Sequence, residues 1–469
     1  MCFSNRSIEE AAQILPARRA RPAPLRVTQL STTDLVGGAG LAATRLHAGL
    51  LGRGVASRML VVICRGKDET VSALRPFSFL PSFVRRTLFG VSRKVQHRKR
   101  STNGGLFSLD RVYYGRDLLR QLPSTDLIHL HWIVDMVDYA AALPELSRRA
   151  PLIWTFHDMN CFTGGCHYDG HCGRFAAACG FCPQLGSIRE NDLSRRVFAR
   201  KEKALAKIPT ERLAILCPSE WMAKEVSRSP LFARFSRVTI PYGVDTDVFH
   251  PIPRKQARAE LGLSADAMVL LFVADIISDR RKGFGLLLRA LEGLREVRNL
   301  LVVTLGSECG TEIVTIPHRH LDRISEPARL ALVYSAADVF IAPSLEDNLP
   351  NTVLEAMSCG LPVVGFRVGG IPEMVRHAET GLLADTGNAT DLAMKIVWML
   401  EHSRERETMS KAARAHVLKS FTTQRQAAAC ESLYRNHLRA QTGVRSRMRN
   451  QECEPGRSLQ GVLDEGGLV

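Results

Sequence analysis

Pro343-Ser-Leu-Glu-Asp-Asn-Leu-Pro-Asn-Thr-Val-Leu-Glu-Ala-Met-Ser-Cys-Gly360 decides how this chain is read. The apolar run Ala336–Ala342 before it has strand length, and Pro343-Ser344 closes that strand. Glu346, Asp347 and Asn348 then stand at a strand's carboxyl end, where open α/β sheets bind ligands. Leu349-Pro350-Asn351-Thr352 starts a helix, with Asn351 or Thr352 as its cap. Free N–H groups at that start favour an anion. Glu355 follows in the first turns, so one carboxylate precedes the helix and one lies inside it. A ligand carrying hydroxyls next to phosphates suits that arrangement.

Outward from this stretch, strand-length apolar runs alternate with helical segments. Arg26–Leu30 leads through a glycine-rich turn, Val36-Gly37-Gly38-Ala39-Gly40, into a helix from about residue 41 to 51, and Arg58–Cys64 reads as the next strand. Gly38-Ala-Gly-Leu-Ala-Ala43 fits the dinucleotide fingerprint G-x-G-x-x-A. The acidic residue expected about 20 positions on is replaced by Cys64-Arg65. The glycines are therefore read as a place where backbone approaches substrate. Asp126–Ile133 and Pro151–Asp158 are further strands that end in His131-Trp132 and His157-Asp158. His129 reads as a satisfied core histidine, and His157 as functional because a carboxylate follows it. In the second half, Met268–Ala274 is a strand and Lys282-Gly283 stands at a helix start, where a lysine and free amides neutralise a diphosphate.

Cys166, Cys172, Cys179 and Cys182 stand in C-x5-C-x6-C-x2-C spacing inside a glycine-rich segment, 161–183. Four sulfurs at this density suit a closed tetrahedral zinc site; free thiols and a redox pair are the alternatives. The remaining cysteines are scattered and do not form a secreted disulfide framework.

A length of 469 residues and 45% apolar content fit two to three domains with full cores. No apolar run approaches the roughly 20 residues of a membrane span. The N-terminus carries Glu9 and Glu10 where a signal core would lie, so a cytoplasmic location is expected. The net charge of +16 points to an anionic partner. Its densest source, Phe83–Arg100, interleaves apolar and basic residues and suits contact with an anionic membrane surface.

The opening stretch resembles the E-x7-E signature of retaining glycosyltransferases of family 4, with Asp347 in place of the first Glu. Leu361–Glu373 is also typical of that family, and the D-x-x-H-x-H-W and T-x-H-D patterns and the cysteine-rich segment resemble a subgroup acting on polysaccharide or lipid-linked precursors, of the exopolysaccharide and colanic-acid type. The resemblance covers roughly residues 26 to 435. It implies an α/β GT-B fold: two Rossmann-like domains with parallel sheets facing across a cleft. The expected division is a disordered leader at 1–24, an acceptor domain at 25–245, a donor domain at 246–403, helices crossing back at 404–440 and a disordered tail at 441–469.

The resemblance also implies transfer of a sugar from a nucleoside diphosphate to a glycan or lipid-linked acceptor. Glu355 would hold the ribose, Asp347 the sugar, and Asn348, Leu349, Asn351 and Thr352 the phosphates and neighbouring groups. Lys282, Gly283 and Arg281 would meet the diphosphate, and His157 would lie near the reacting sugar. Gly37, Gly38, Gly40 and His131 would border the acceptor and phosphates. No catalytic cofactor is needed, because basic residues and amides do a metal's work. Other readings are a glycoside hydrolase, an NAD(P)-dependent oxidoreductase, a nucleotide-sugar epimerase, or a basic membrane-surface protein on a degenerate fold.

Overall fold

In a computed structural model, the described residues build two parallel β-sheets from thirteen strands. The structure describes residues 23–75, 105–112, 115–307 and 316–452, with 115–116 and 442–452 as backbone only. The basic stretch 83–100, the leader through residue 22 and the tail from 453 lie outside the described residues. The first sheet holds β1 (Arg26–Thr33), β2 (Ala56–Ile63), β3 (Val71–Ala73), β4 (Leu127–Leu130), β5 (Leu152–Thr155), β6 (Leu213–Cys217) and β7 (Ser236–Thr239) in the order β3-β2-β1-β4-β5-β6-β7. The second holds β8 (Met268–Ile276), β9 (Leu300–Ser307), β10 (His318–Leu321), β11 (Val339–Ala342), β12 (Val363–Phe366) and β13 (Gly381–Ala384) in the order β10-β9-β8-β11-β12-β13.

Both orders reverse direction beside their first strand, at β1/β4 and at β8/β11. Such switch points open a crevice at the strands' carboxyl ends. The strands are apolar on both faces because helices cover both: Ile128, Leu130, Trp154 and Ile215 fill one side of the first sheet, and Val27, Leu127, Ile153 and Leu216 the other.

The glycine-rich turn differs from its expected form. Gly37–Gly52 is one helix, so the glycines form its first turn rather than a separate loop. A Cβ at Gly40 would sit 2.5 Å from Thr33 Oγ1 and 2.7 Å from the Asp34 carbonyl oxygen. Only glycine lets the helix start so close to the end of β1.

The final helix, Thr423–Glu452, returns to the first sheet. Tyr434 is buried there with its hydroxyl 2.6 Å from His129 Nδ1, and Arg53 Nε donates to Glu431 at 2.7 Å. The helix is continuous past residue 441, where a disordered tail was expected; arginine, glutamine and methionine, good helix formers, recur in its last turns. Among the described residues no helix is long and apolar enough to cross a membrane.

Candidate active site

The carboxyl edges of the two sheets meet, and the residues singled out in the sequence divide into two clusters across that meeting. On the second sheet, the loop after β8 and the loop after β11 touch. Asp279 caps the short turn Arg280–Lys282 through Arg281 N–H, and Gly283 follows at φ +76°. A Cβ on Gly283 would lie 1.7 Å from the Pro343 carbonyl oxygen, so glycine is required where the loops cross. This crossing brings Lys282 to Asp347: the ammonium donates to Oδ2 at 2.6 Å. Arg281 stands 3.5 Å from the same oxygen, donates to the Glu346 carbonyl at 2.8 Å and covers the Tyr168 ring at 4.7 Å. Burial pushes the Asp347 carboxyl up, but the Lys282 and Arg281 charges outweigh it and hold it below its ordinary value. Burial lowers the Lys282 ammonium, against the opposing pull of Asp347.

Glu355 lies in the helix Asn351–Ser358 and is buried. Arg45, from the first domain, donates to Oε1 at 2.5 Å, and the Tyr334 hydroxyl donates to Oε2 at 2.8 Å. The pair is largely out of solvent, at 10% and 4% side-chain exposure. Removing one member of such a buried pair typically costs about 3–5 kcal/mol, because the other charge stays buried.

Asn351 does not cap its helix. Pro350 precedes the first turn, no side chain caps it, and Asn351 Nδ2 instead donates to the Gly38 carbonyl at 2.9 Å. The side chain crosses to the first domain because the glycine turn presents a bare carbonyl there. Thr352, the other expected cap, sits half-buried at the second helical position, and Leu349 is buried in the second domain's core. Asn348 binds the domains together. It accepts from Ser219 Oγ at 2.6 Å and donates to the Phe156 and His157 carbonyls, both at 3.1 Å.

On the first sheet, polar side chains at the edge form one directed chain of hydrogen bonds. Gln29 turns its carbonyl oxygen to His131 Nε2 at 2.8 Å, so that nitrogen carries the proton. His131 Nδ1 then accepts from His157 Nε2 at 3.1 Å, and His157 Nδ1 accepts from the Tyr242 hydroxyl at 2.6 Å. In the other direction Gln29 Nε2 donates to His47 Nδ1 at 3.2 Å, and His47 Nε2 meets Thr70 Oγ1 at 2.7 Å. Every imidazole in this chain is neutral. Burial lowers His157 to about 4 and His131 well below its usual range. His129, lowered to about 3, is satisfied by Tyr434 and Thr155, as its core reading expects. Asp158 accepts from Trp132 Nε1 at 2.9 Å and pairs with His167 at 2.6 Å, which ties the cysteine-rich segment to the sheet. A small cavity beside this edge is lined by His131, Trp132, Tyr139, His157 and Asn160 among others.

Cys166, Cys172, Cys179 and Cys182 line a second cavity together. Among the described residues, however, no group of three or more His, Cys, Asp or Glu side chains is placed to hold a metal ion. Cys179 Sγ accepts from Gly164 N–H at 3.2 Å, and Cys166 and Cys182 pack together on Phe107. Burial pushes Cys179 up to about 12 and raises the other three, and the neighbouring thiols add to the rise at Cys166, Cys179 and Cys182. What the segment does contribute is Tyr168. Its hydroxyl accepts from Asn348 N–H at 3.2 Å and its ring supports Arg281. Glu346, out of register in the signature, accepts from Gly170 N–H at 3.1 Å.

Several site residues have no strong sequence signal. Arg45 lies inside a helix and Tyr334 inside another, and nothing local marks either. Gln29 does carry a signal: a polar residue within an apolar strand. Tyr242 carries no local signal either, and its hydroxyl donates to His157 Nδ1 at 2.6 Å.

With this geometry in hand, known proteins can be set beside it. The family model described as "Glycosyl transferases group 1" matches residues 267–402, and that described as "Glycosyltransferase Family 4" matches residues 36–248. D-inositol 3-phosphate glycosyltransferase of Arthrobacter sp. (strain FB24) is 31% identical over 324 residues, 65% of this chain and 68% of that protein. The chain belongs to the group 1 glycosyltransferases. The fold agrees: WaaG, a glycosyltransferase involved in lipopolysaccharide biosynthesis, superposes with a TM-score of 0.58 at 16% identity, covering 86% of this chain and 98% of that one. HepE of Anabaena, solved with UDP-glucose, gives 0.55 at 15% identity, covering 87% and 99%. This glycosyltransferase therefore has the GT-B architecture, and its activity is of the transferase class.

Proposed function

We propose that this glycosyltransferase moves a sugar from a nucleoside diphosphate to an acceptor hydroxyl with retention of anomeric configuration. The observation that carries the reading is the pair of buried ionic contacts at the second sheet's edge, Lys282–Asp347 and Arg45–Glu355. Each places a carboxylate where hydroxyls of a donor can be received, beside cations suited to phosphates. In this reading Glu355 takes the ribose hydroxyls and Asp347 the sugar. Lys282 and Arg281 stabilise the diphosphate as its bond to the sugar breaks, which is electrostatic catalysis where charge develops. The backbone amides at Asn351 and Thr352 and the turn at Gly37 and Gly38 complete the phosphate surroundings. His157 positions the sugar or the acceptor.

The similarity to a protein solved with UDP-glucose supports a nucleotide-sugar donor. The +16 charge supports an acceptor or working surface that is anionic, with polysaccharide or lipid-linked glycan assembly as the setting. Residues 25–245 and 246–403 are proposed as the acceptor and donor domains, with 404–440 crossing back.

The test is a screen of UDP-, GDP- and ADP-sugars by thermal shift, followed by donor hydrolysis and transfer with the best binder. Lys282→Ala and Glu355→Ala are each expected to lower turnover at least about 100-fold. Turnover retained in both variants overturns the assignment. Specific binding of NADPH or NADH with no nucleotide-sugar binding favours an oxidoreductase instead.

A further inference from the structure

Arg45 is the one cation on the helix Gly37–Gly52 that reaches across to Glu355, and its surroundings differ from those of an ordinary interdomain clamp. Its guanidinium meets the second sheet's carboxylate and the segment between the sheets at once. Nη2 donates to Glu355 Oε1 at 2.5 Å. The guanidinium carbon lies 5.2 Å from the centroid of the Phe249 ring, in the segment joining the two sheets. Tyr334, which holds the other Glu355 oxygen, packs against the same Phe249 ring with centroids 6.3 Å apart. Phe249 and Tyr334 thus leave the guanidinium little freedom to turn.

Nη1 is the informative atom. It is buried and, among the described residues, has no hydrogen-bond partner. Asn351 Oδ1, one turn before Glu355, is likewise buried and unpartnered. A buried donor on the residue paired with Glu355 and a buried acceptor one turn before it, both unsatisfied, are costly in a folded protein. They are accounted for when a ligand that both donates and accepts reaches them. A carboxylate held at both oxygens still keeps one acceptor direction on each. That geometry matches a vicinal diol, whose two hydroxyls donate to the carboxylate while their oxygens accept from a neighbouring N–H.

We propose that Arg45 is a positioning residue for the ribose diol of a nucleoside diphosphate: it fixes Glu355 to receive both hydroxyls and offers Nη1 to a hydroxyl oxygen. This rests on the donor reading above and adds a first-domain residue to the donor half of the site. Recognition of the nucleoside then depends on the two domains being together, because Arg45 and Glu355 come from different sheets.

The experiment measures binding of UDP, GDP and ADP to the full chain by calorimetry, and then of the 2′,3′-dideoxy counterpart of the best binder. Wild-type protein is expected to prefer the ribose form at least about tenfold. Arg45→Ala is expected to reduce that preference below about threefold, and Arg45→Lys to restore part of it. A simple clamp would lower the melting temperature and weaken both ligands equally. The full preference persisting in Arg45→Ala therefore overturns the inference while leaving the donor reading intact. Wild-type protein binding none of the three diphosphates overturns the donor reading and this inference with it. If Arg45→Ala does not fold, Arg45→Gln, which keeps the packing on Phe249 and an N–H donor without the charge, is measured against wild type by the same ratio.

Discussion

The two sheet edges that face each other solve the same problem in opposite ways. Each brings polar side chains into a crevice largely shielded from water. The first sheet does so with neutral groups: Tyr242, His157, His131, Gln29 and His47 pass hydrogen bonds in one direction, and no member carries charge. The second sheet uses full charges, Lys282 against Asp347 and, with help from the first domain, Arg45 against Glu355. A neutral chain is satisfied internally and rigid, which suits holding a ring in one tautomer and orientation. Ion pairs keep carboxylates ionised and cations close, which suits exchange with a ligand that carries both hydroxyls and phosphates. In the proposed function the first edge positions and the second binds.

This contrast breaks most strongly with pH. The histidines of the first edge have folded values far below their unfolded one, so below about pH 6.5 the unfolded chain binds protons that the folded chain refuses. Stability contributed by these groups is complete above the unfolded value and is lost as pH falls toward about 4 for His157 and about 3 for His129. Asp347, whose folded value is depressed, keeps its contribution until pH falls through the carboxylate range. Between pH 6.5 and 4.5 the first edge therefore loses stability while Asp347 does not. His129, His131 and His157 together should remove about 7 kcal/mol across that window, read by chemical denaturation. His129→Gln should flatten the slope by close to one proton; an unchanged slope would show that His129 is not buried neutral.

A backbone change separates the edges next. Gly283→Ala forces a side chain into a left-handed position and against the Pro343 carbonyl. It should destabilise the chain by about 2–3 kcal/mol and weaken nucleoside diphosphate binding, because Lys282 leaves Asp347. A variant with wild-type melting and binding would mean that the loop crossing does not set the Lys282–Asp347 contact. The smallest effect is expected at Tyr242→Phe, which removes the hydroxyl on His157 Nδ1 and leaves a buried acceptor unpaired. Stability should fall by about 1 kcal/mol. Turnover should fall severalfold, with the donor KM unchanged, if the neutral chain positions rather than binds. A raised donor KM with normal turnover would reverse the roles assigned to the two edges.

The cysteine-rich segment shows how far local pattern can be read. Its spacing is legible in the sequence and suggests four ligands on one ion. The structure gathers the four sulfurs around one cavity, and the neighbouring Tyr168 does the structural service of supporting Arg281 and meeting Asn348. Thiol spacing can be counted; whether thiols converge depends on turns with left-handed residues such as Ala178, Cys179 and Phe181, which no glycine pattern announces.

By itself the sequence determined the alternation of strands and helices, the strand-end placement of His131, His157 and Asp347, Lys282 at a helix start, and the position of Glu355 inside a helix. These follow from periodicity and breakers, which act over a few residues. The tertiary structure alone decided the partners. Arg45 and Glu355 are 310 positions apart, and Asn351 and Gly38 are 313 apart. Such contacts exist because two independently patterned sheets close on each other, and the side chain that meets a given carboxylate is set by the packing of whole domains rather than by any local preference.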